Sequence, residues 1–314
     1  WDVSTAPLVL LAYASHISSP WLLGLSASMH NIPLVIVGLG GQSKWAWYAG
    51  GTPKLPASRR ALQMLAALQT TSAKNVALVD AFDTFIANPP SQSLRDSLSR
   101  LGSSEVLVGG ECMHYPVCNV GEMLGRIPAY LKCHESGYAA CAPNGGFLLG
   151  RPKPLEGLVR SMVNTIVTER TDEKTDFYTS RHDQSALHKV YLESGGTMRV
   201  DHSSDIVLNL HACTTRQNYT RLVKGFVYCR EKYHDPLGAT RVAGNATALL
   251  HWPKGRRRRA SNEDAVRPLV AHANGAHTLL KQQKLASIVE AISSKREAAL
   301  KTKVLLIDSA LHKG

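Results

Sequence analysis

Short apolar runs alternate with segments of helical pattern along the first half of the chain. The runs are residues 7–14 (PLVLLAYA), 32–41 (IPLVIVGLGG), 76–80 (VALVD) and 105–111 (EVLVGGE). Continuous apolar runs rich in Val and Leu are typical of strands that are covered on both faces. Strands that alternate with helices usually become parallel neighbours joined by crossover helices. We therefore expect an α/β fold with a mostly parallel, Rossmann-like sheet flanked by helices.

The second half is less regular. Residues 154–167 and 183–193 predict helices, and residues 195–210 predict two short strands around a polar turn. Residues 212–265 predict an irregular insertion. From residue 281 the apolar positions Leu285, Ile288, Val289 and Ile292 recur at helical spacing. We therefore expect one domain over residues 1–280 and a C-terminal helical extension over 281–314, which packs on the domain or, as the alternative, mediates oligomer formation.

Composition describes an ordinary globular protein, with 44% hydrophobic and 19% charged residues. No apolar run approaches the roughly 18 residues of a transmembrane helix. The net charge of +12 would suit a polyanion or a phosphorylated ligand, and it is most concentrated in residues 254–259 (KGRRRR). Because no aromatic residues interrupt this run, we interpret it as a solvated loop. A nucleic-acid or membrane contact and a protease cleavage site are the alternatives.

Cysteine usage and sequons bear on the compartment. The six cysteines form no CxxC pair, which argues against a zinc ribbon, and their even number is compatible with disulfides. Two N-glycosylation sequons begin at Asn218 and Asn245. The chain starts at Trp1 without an initiator Met, so we expect an N-terminal targeting segment to lie outside it. We expect the lumen of the secretory pathway, or secretion.

Two carboxylates follow the third apolar run, in the segment VALVDAFDTFIANPP (residues 76–90). Ligands of open α/β sheets bind at the carboxyl ends of the strands. Asp80 and Asp83 would repel each other there unless a cation or a proton lay between them. A capped turn with two solvated acids is the structural alternative.

Four other stretches carry candidate chemistry: GGECMHYP (109–116), APNGGFLLG (142–150), SRHDQSALHKVY (180–191) and PLVAHANGAH (268–277). Their structural alternatives are an N-terminal helix charge for Asp183, a tight turn for Gly145 and Gly146, and a structural role for His272. The glycine pair would equally let the backbone approach a ligand closely.

Together with residues 201–206, the five stretches resemble the glycosyltransferase domain of the procollagen lysyl hydroxylases, a metal-dependent fold of the GT-A type. The family's D-[SA]-[YF]-D is matched by residues 80–83, its D-H-x-S-x-I by residues 201–206 and its H-G-N-G by residues 272–275. Its N-S-G-G-F-I-G is matched by residues 143–150, its D-D-Q by residues 182–184 and its S-A-E loosely by residues 109–111. The resemblance covers roughly residues 7–280.

The resemblance implies a UDP-sugar donor and a Mn²⁺ (or Mg²⁺) ion held by Asp80, Asp83 and His272. Hard oxygen ligands suit both ions, and one imidazole favours Mn²⁺. The resemblance also implies that Asp183 contacts the transferred sugar or acts in catalysis. Phe82 would face the uracil ring. The remaining donor-binding expectations are Val9, Leu11 and Ala12 in the base pocket, Lys54 and Trp45 near the diphosphate or sugar, and Gly145, Gly146, Asn274 and Gly275.

Departures from the family pattern leave the acceptor open. His182 replaces the first acid of an acidic pair, Tyr115 stands where a tryptophan is expected, and Pro143 precedes the glycine pair. We expect a hydroxyl acceptor on a protein side chain or on a glycan. A phosphatase of the haloacid dehalogenase type would need D-x-D, and position 82 is Phe. Interpretation as a nucleic-acid-binding protein does not explain the acidic motifs. An inactive module that only binds ligands is the third alternative.

Overall fold

The computed structural model describes residues 6–14, 21–39, 54–88, 90, 92–103, 105–111, 142–168, 183–202, 205–209, 252–253, 265–266, 269–272 and 304–308. The six cysteines, both sequons, the arginine run, Trp45, Asn274 and Gly275 lie outside these residues.

The described residues form five helices and twelve strands. The helices are α1 (Trp21–Met29), α2 (Lys54–Thr70), α3 (Gln92–Arg100), α4 (Pro152–Thr168) and α5 (Asp183–Glu193). The strands are β1 (Val9–Tyr13), β2 (Leu34–Leu39), β3 (Val76–Asp80), β4 (Thr84–Ile86), β5 (Val106–Glu111), β6 (Ala142–Gly150), β7 (Met198–Asp201), β8 (Val207–Asn209), β9 (Trp252–Pro253), β10 (Ala265–Val266), β11 (Val270–His272) and β12 (Val304–Asp308). None of the described helices is long and apolar enough to cross a membrane.

The main sheet has the strand order β12-β2-β1-β3-β6-β5-β7. Its neighbours pair in parallel, except that β6 runs antiparallel to both β3 and β5. The prediction of a mostly parallel α/β sheet flanked by helices is confirmed, and the arrangement is compatible with a Rossmann-like fold. The reversed direction of β6 is a feature that the alternating pattern does not predict.

The core lies on both faces of this sheet because alternate residues of each strand point in opposite directions. Leu10 and Ala12 of β1 pack on one face, together with apolar residues of α1 and of the short strands β4, β8 and β11. Val9 and Leu11 pack on the other face, against α2 and α4. This burial on two sides explains why the strands read as continuous apolar runs.

A second, three-stranded sheet has the order β4-β11-β8. Strand β4 runs antiparallel to β11 and sets Thr84 opposite His272. Strand β8 runs parallel to β11 and sets Asn209 beside the same histidine. The small sheet therefore brings three polar residues, which are far apart in sequence, into one row.

The helical extension expected over residues 281–314 does not hold for the five residues of that span that the structure describes. Val304–Asp308 form β12, which pairs in parallel with β2 and extends the main sheet. Their sequence, VLLID, is a short apolar run like those of the central strands, and pairing with an edge strand satisfies its backbone. The helical stripe around Leu285 lies outside the described residues.

Candidate metal centre

The candidate centre lies where β3 ends in the middle of the main sheet. Asp80 is the last residue of β3, a turn over residues 81–83 follows, and β4 begins at Thr84. The side chains of Asp80 and Asp83 are 30% and 20% exposed. Both carboxylates therefore remain open to a ligand from solvent.

His272 completes the group from the end of β11. Its Nε2 lies 3.5 Å from Asp80 Oδ2 and 3.5 Å from Asp83 Oδ1, and its side chain is 2% exposed. One ligand atom from each of the three residues lies within 4.8 Å of the other two, so the group could hold a metal ion. Separations of 3.5 Å are long for hydrogen bonds. Neighbouring ligands of an octahedral ion lie roughly 3 Å apart, given metal–oxygen distances of about 2.1 Å.

Asn209 fixes the tautomer of His272. Its side-chain Nδ2 donates to the carbonyl oxygen of Gly110 at 2.6 Å. This bond assigns the amide orientation, so Asn209 Oδ1 is the atom that lies 2.7 Å from His272 Nδ1. An oxygen can only accept, hence Nδ1 carries the hydrogen. The lone pair of the neutral ring then lies on Nε2, on the side of the two carboxylates.

The buried Nε2 atom of His272 is the observation that fits a cation at this place. It has no hydrogen-bond partner among the described residues. A lone pair directed at two carboxylates is unfavourable unless a positive charge lies between them. Metal-binding histidines commonly donate their other ring N–H to an oxygen, as His272 does to Asn209. The donor set and its orientation therefore fit a divalent ion.

A proton can occupy the same position. Burial lowers the pKa of His272, but the negative charges of Asp83 and Asp80 outweigh this effect and raise the pKa to about 10. The two carboxylates therefore favour a positive charge at this place, which either a proton on the imidazole or a bound cation can supply. Metal binding at neutral pH then releases that proton.

Gly146 makes room for the imidazole. A Cβ atom added at this position would overlap the ring of His272, with 2.5 Å to Nδ1 and 2.5 Å to Nε2. Strand β6 departs from the register of β5 at this point, since Val108 pairs with Leu148 and Gly109 pairs with Asn144. Bulges of this kind often lie next to active sites.

The N–H groups of the glycine pair have partners within the protein. Gly145 N donates to Gln184 Oε1 at 2.7 Å, and Gly146 N donates to Asn144 Oδ1 at 2.8 Å. These two N–H groups hold the bulge, and glycine is required at 146 because of His272. The approach of a donor ligand to this backbone stays a prediction.

The expected base pocket on β1 is also corrected. Val9, Leu11 and Ala12 are at most 1% exposed and belong to the hydrophobic core, because β1 is covered on both faces. Tyr13 is the β1 residue beside Asp80 at the carboxyl edge. Its ring lies over Gly38, where φ is +93° and where a Cβ would overlap the ring. Tyr13 is the last residue of the strand that was expected to line the base pocket, and its contact with a base stays a prediction.

The other expected residues fall in three groups. Phe82 is half-buried and packs against the core, so its contact with a base stays a prediction. Asp183 is the first residue of α5, and its Oδ1 accepts from the N–H of Gln184 at 2.8 Å. Because Gln184 also bonds Gly145, the structure brings Asp183 to the same region as Gly146 and His272. Lys54 begins α2, but its side chain lies outside the described part of the structure, as do Trp45, Asn274 and Gly275.

Sequence reasoning assigned no role to Asn209. It also assigned none to four buried polar residues near the glycine pair that lie within the candidate stretches: Glu111, Asn144, Gln184 and His188. Asn209 ends a short apolar strand, as Asp80 does, and this position is the signal that could have identified it.

Comparison with protein-family models finds no match for this sequence, and comparison with curated proteins finds no match either. The assignment of a function therefore depends on the residues of the site itself.

Proposed function

We propose that this protein is a metal-dependent glycosyltransferase of the GT-A type that moves a sugar from a UDP-sugar to a hydroxyl acceptor. The observation that carries the proposal is the Asp80–Asp83–His272 group at the carboxyl edge of the central strands, with the imidazole lone pair directed at both carboxylates. The mostly parallel sheet and the resemblance to the glycosyltransferase domain of the procollagen lysyl hydroxylases support it.

Mn²⁺ is the proposed ion. Carboxylates accept both Mn²⁺ and Mg²⁺, and one imidazole in the donor set favours Mn²⁺. When bound, the ion would neutralise the charge that develops on the diphosphate as the sugar departs. Asp80 and Asp83 would hold it from the main sheet and His272 from the small sheet. The net charge of +12 is consistent with a phosphorylated ligand.

Asp183 is the proposed sugar-side residue. Its place at the first turn of α5 is tied to the glycine pair through Gln184, and Gly146 in turn contacts His272. A carboxylate at this position can accept hydrogen bonds from sugar or acceptor hydroxyls. Tyr13 lies beside Asp80 on the neighbouring strand, and Phe82 follows Asp80 by two residues in the chain. Both rings are half-buried, and we propose that a nucleobase stacks on one of them.

A protein side chain or a glycan is the proposed acceptor, and the lumen of the secretory pathway is the proposed location. The sequons and the even number of cysteines support the location. Because His182, Tyr115 and Pro143 depart from the family's pattern, we do not propose the family's own acceptor for this protein.

The test is release of UDP from a panel of UDP-sugars, with Mn²⁺ and with chelator. The variant Asp83→Asn removes one ligand charge at nearly constant shape, and Asp96→Asn is the matched control on the exposed face of α3. Mn²⁺ binding is measured in parallel by electron paramagnetic resonance, which needs no knowledge of the sugar or the acceptor.

Three outcomes separate the alternatives. Mn²⁺-dependent turnover of one donor by the wild type and by Asp96→Asn, lost in Asp83→Asn, establishes the class and identifies the sugar. Binding of Mn²⁺ and UDP without turnover of any donor would favour the module that only binds ligands. If the wild type bound neither Mn²⁺ nor UDP, the proposal would be refuted.

A further inference from the structure

Four buried polar side chains form a cluster directly behind the glycine pair of β6. They are Glu111 at the end of β5, Asn144 on β6, and Gln184 and His188 on α5, with exposures of 4%, 6%, 7% and 1%. Buried groups of this kind are costly unless they are hydrogen-bonded. The order of their hydrogen bonds indicates what the cluster does.

Glu111 orients two side-chain amides. Its Oε2 accepts from Asn144 Nδ2 at 2.8 Å, and its Oε1 accepts from Gln184 Nε2 at 3.0 Å. A carboxylate oxygen only accepts, so both amides must present their NH₂ groups to Glu111 and turn their oxygens away from it. The carbonyl oxygen of Pro143, 2.6 Å from Gln184 Nε2, imposes the same orientation on Gln184.

The two amide oxygens then hold consecutive backbone N–H groups. Asn144 Oδ1 accepts from Gly146 N, and Gln184 Oε1 accepts from Gly145 N. These bonds fix β6 where it leaves the register of β5 and where Gly146 lies against the ring of His272. Gln184 follows Asp183, so the same bonds attach the start of α5 to this bulge.

We propose that Glu111 is a positioning residue for the metal centre, acting through Asn144 and Gln184 on the glycine pair and so on His272 and Asp183. It is not assigned to the chemistry, because both of its oxygens are engaged by amides. The inference rests on the metal centre of the proposed function and not on the identity of the donor or of the acceptor.

The first variant is Glu111→Gln. Its new NH₂ group must face an NH₂ group of Asn144 or of Gln184, so one of these amides loses its orientation. The glycine N–H that this amide held loses its acceptor, and the bulge is no longer fixed. We expect the His272 ring nitrogen signals in ¹H–¹⁵N NMR spectra to shift and Mn²⁺ affinity to fall about 10- to 100-fold, as for other residues that support metal ligands.

A second substitution distinguishes amide orientation from general damage. In Glu111→Gln with Asn144→Asp, the NH₂ group introduced at position 111 donates to one oxygen of the carboxylate introduced at position 144, and the other oxygen of that carboxylate still accepts from Gly146 N. Every hydrogen bond described for Glu111 and Asn144 is kept, and the negative charge moves from position 111 to position 144. We therefore expect the His272 signals and the Mn²⁺ affinity of the wild type. In Glu111→Gln with Gln184→Glu, a carboxylate oxygen would face the Pro143 carbonyl, so we expect no recovery.

The NMR spectra are recorded in chelator and the Mn²⁺ titrations without it, with melting temperatures for all variants. Recovery only by the Asn144→Asp pair supports the proposal, including when Glu111→Gln alone does not fold. His272 signals unchanged in a folded Glu111→Gln, or equal behaviour of the two double variants, would overturn it. If the wild type binds no Mn²⁺, the proposed function fails, but the His272 signals in chelator still decide whether Glu111 positions the ring.

Discussion

Replacing Gly146 with alanine should displace His272 without changing any polar group. The added Cβ would overlap the imidazole, at 2.5 Å from both ring nitrogens. Non-bonded atoms prefer separations of about 3.5 Å, so the ring must retreat by about 1 Å or β6 must move by as much. The ring is 2% exposed and its Nδ1 is hydrogen-bonded to Asn209, so it has little free space.

The size of the effect on metal binding follows from this displacement. Metal–ligand distances are held to within about 0.2 Å, so a shift of about 1 Å removes the imidazole from a site that keeps Asp80 and Asp83. We expect Mn²⁺ affinity to fall at least about 100-fold, which corresponds to about 2.8 kcal/mol. We also expect a loss of about 1–3 kcal/mol in the free energy of unfolding, as for other overpacked sites.

Mn²⁺ titration by electron paramagnetic resonance and urea unfolding in chelator measure the two effects. Gly157→Ala is the matched control, because a Cβ at Gly157 meets nothing within 4 Å and alanine is favoured in a helix by about 0.5–1 kcal/mol. A Gly146→Ala protein that binds Mn²⁺ like the wild type would refute the contact between Gly146 and His272, or the role of His272 as a ligand.

Three further predictions concern the same row of residues. Asn209→Ala removes the acceptor of His272 Nδ1, and we expect Mn²⁺ affinity to fall about 10- to 100-fold in the same titration. Thr84→Val should raise the free energy of unfolding in chelator by about 1 kcal/mol, because the Thr84 hydroxyl is fully buried and has no hydrogen-bond partner among the described residues; a decrease in urea unfolding would contradict this. The pKa of His272 is raised from 6.5 to about 10 on folding. In chelator, the stabilisation of the folded protein by the protonated His272 is therefore complete below pH 6.5 and is lost as the pH rises through 10. We expect the unfolding free energy to fall over that range in the wild type more than in His272→Gln, and Mn²⁺ affinity to rise about tenfold per pH unit between pH 6.5 and 8.

The alternation of apolar runs and helical segments predicts most of the main sheet. Strands that are buried on both faces are apolar throughout, so the runs at β1, β2, β3 and β5 stand out from their surroundings. The direction of β6 has no such signal, since a buried strand reads alike in either orientation. The three residues of β4 are too few to show a period, and the apolar run of β12 follows a segment of helical pattern.

The candidate site could be predicted where an ionisable side chain stands at the end of a predicted strand, as Asp80 does. The link between Asp80 and His272 came from a resemblance between motifs, because no local pattern relates residues that meet only after two sheets have formed. The assignment of Val9 and Leu11 to a ligand pocket was wrong, because residues at alternate positions of a central strand face helices on both sides. The amide orientations around Glu111 depend on three-dimensional contacts that no spacing in the sequence encodes.

Pairing of β12 with β2 has a consequence for how the chain folds as it is synthesised. Strand β2 ends at Leu39, whereas its outer neighbour β12 begins only at Val304 and is therefore synthesised much later. Until then β2 presents the unpaired N–H and C=O groups of an apolar edge strand, which is a template for pairing with another chain. A polypeptide interrupted before Val304 should therefore aggregate through β2 even where the rest of the sheet has formed.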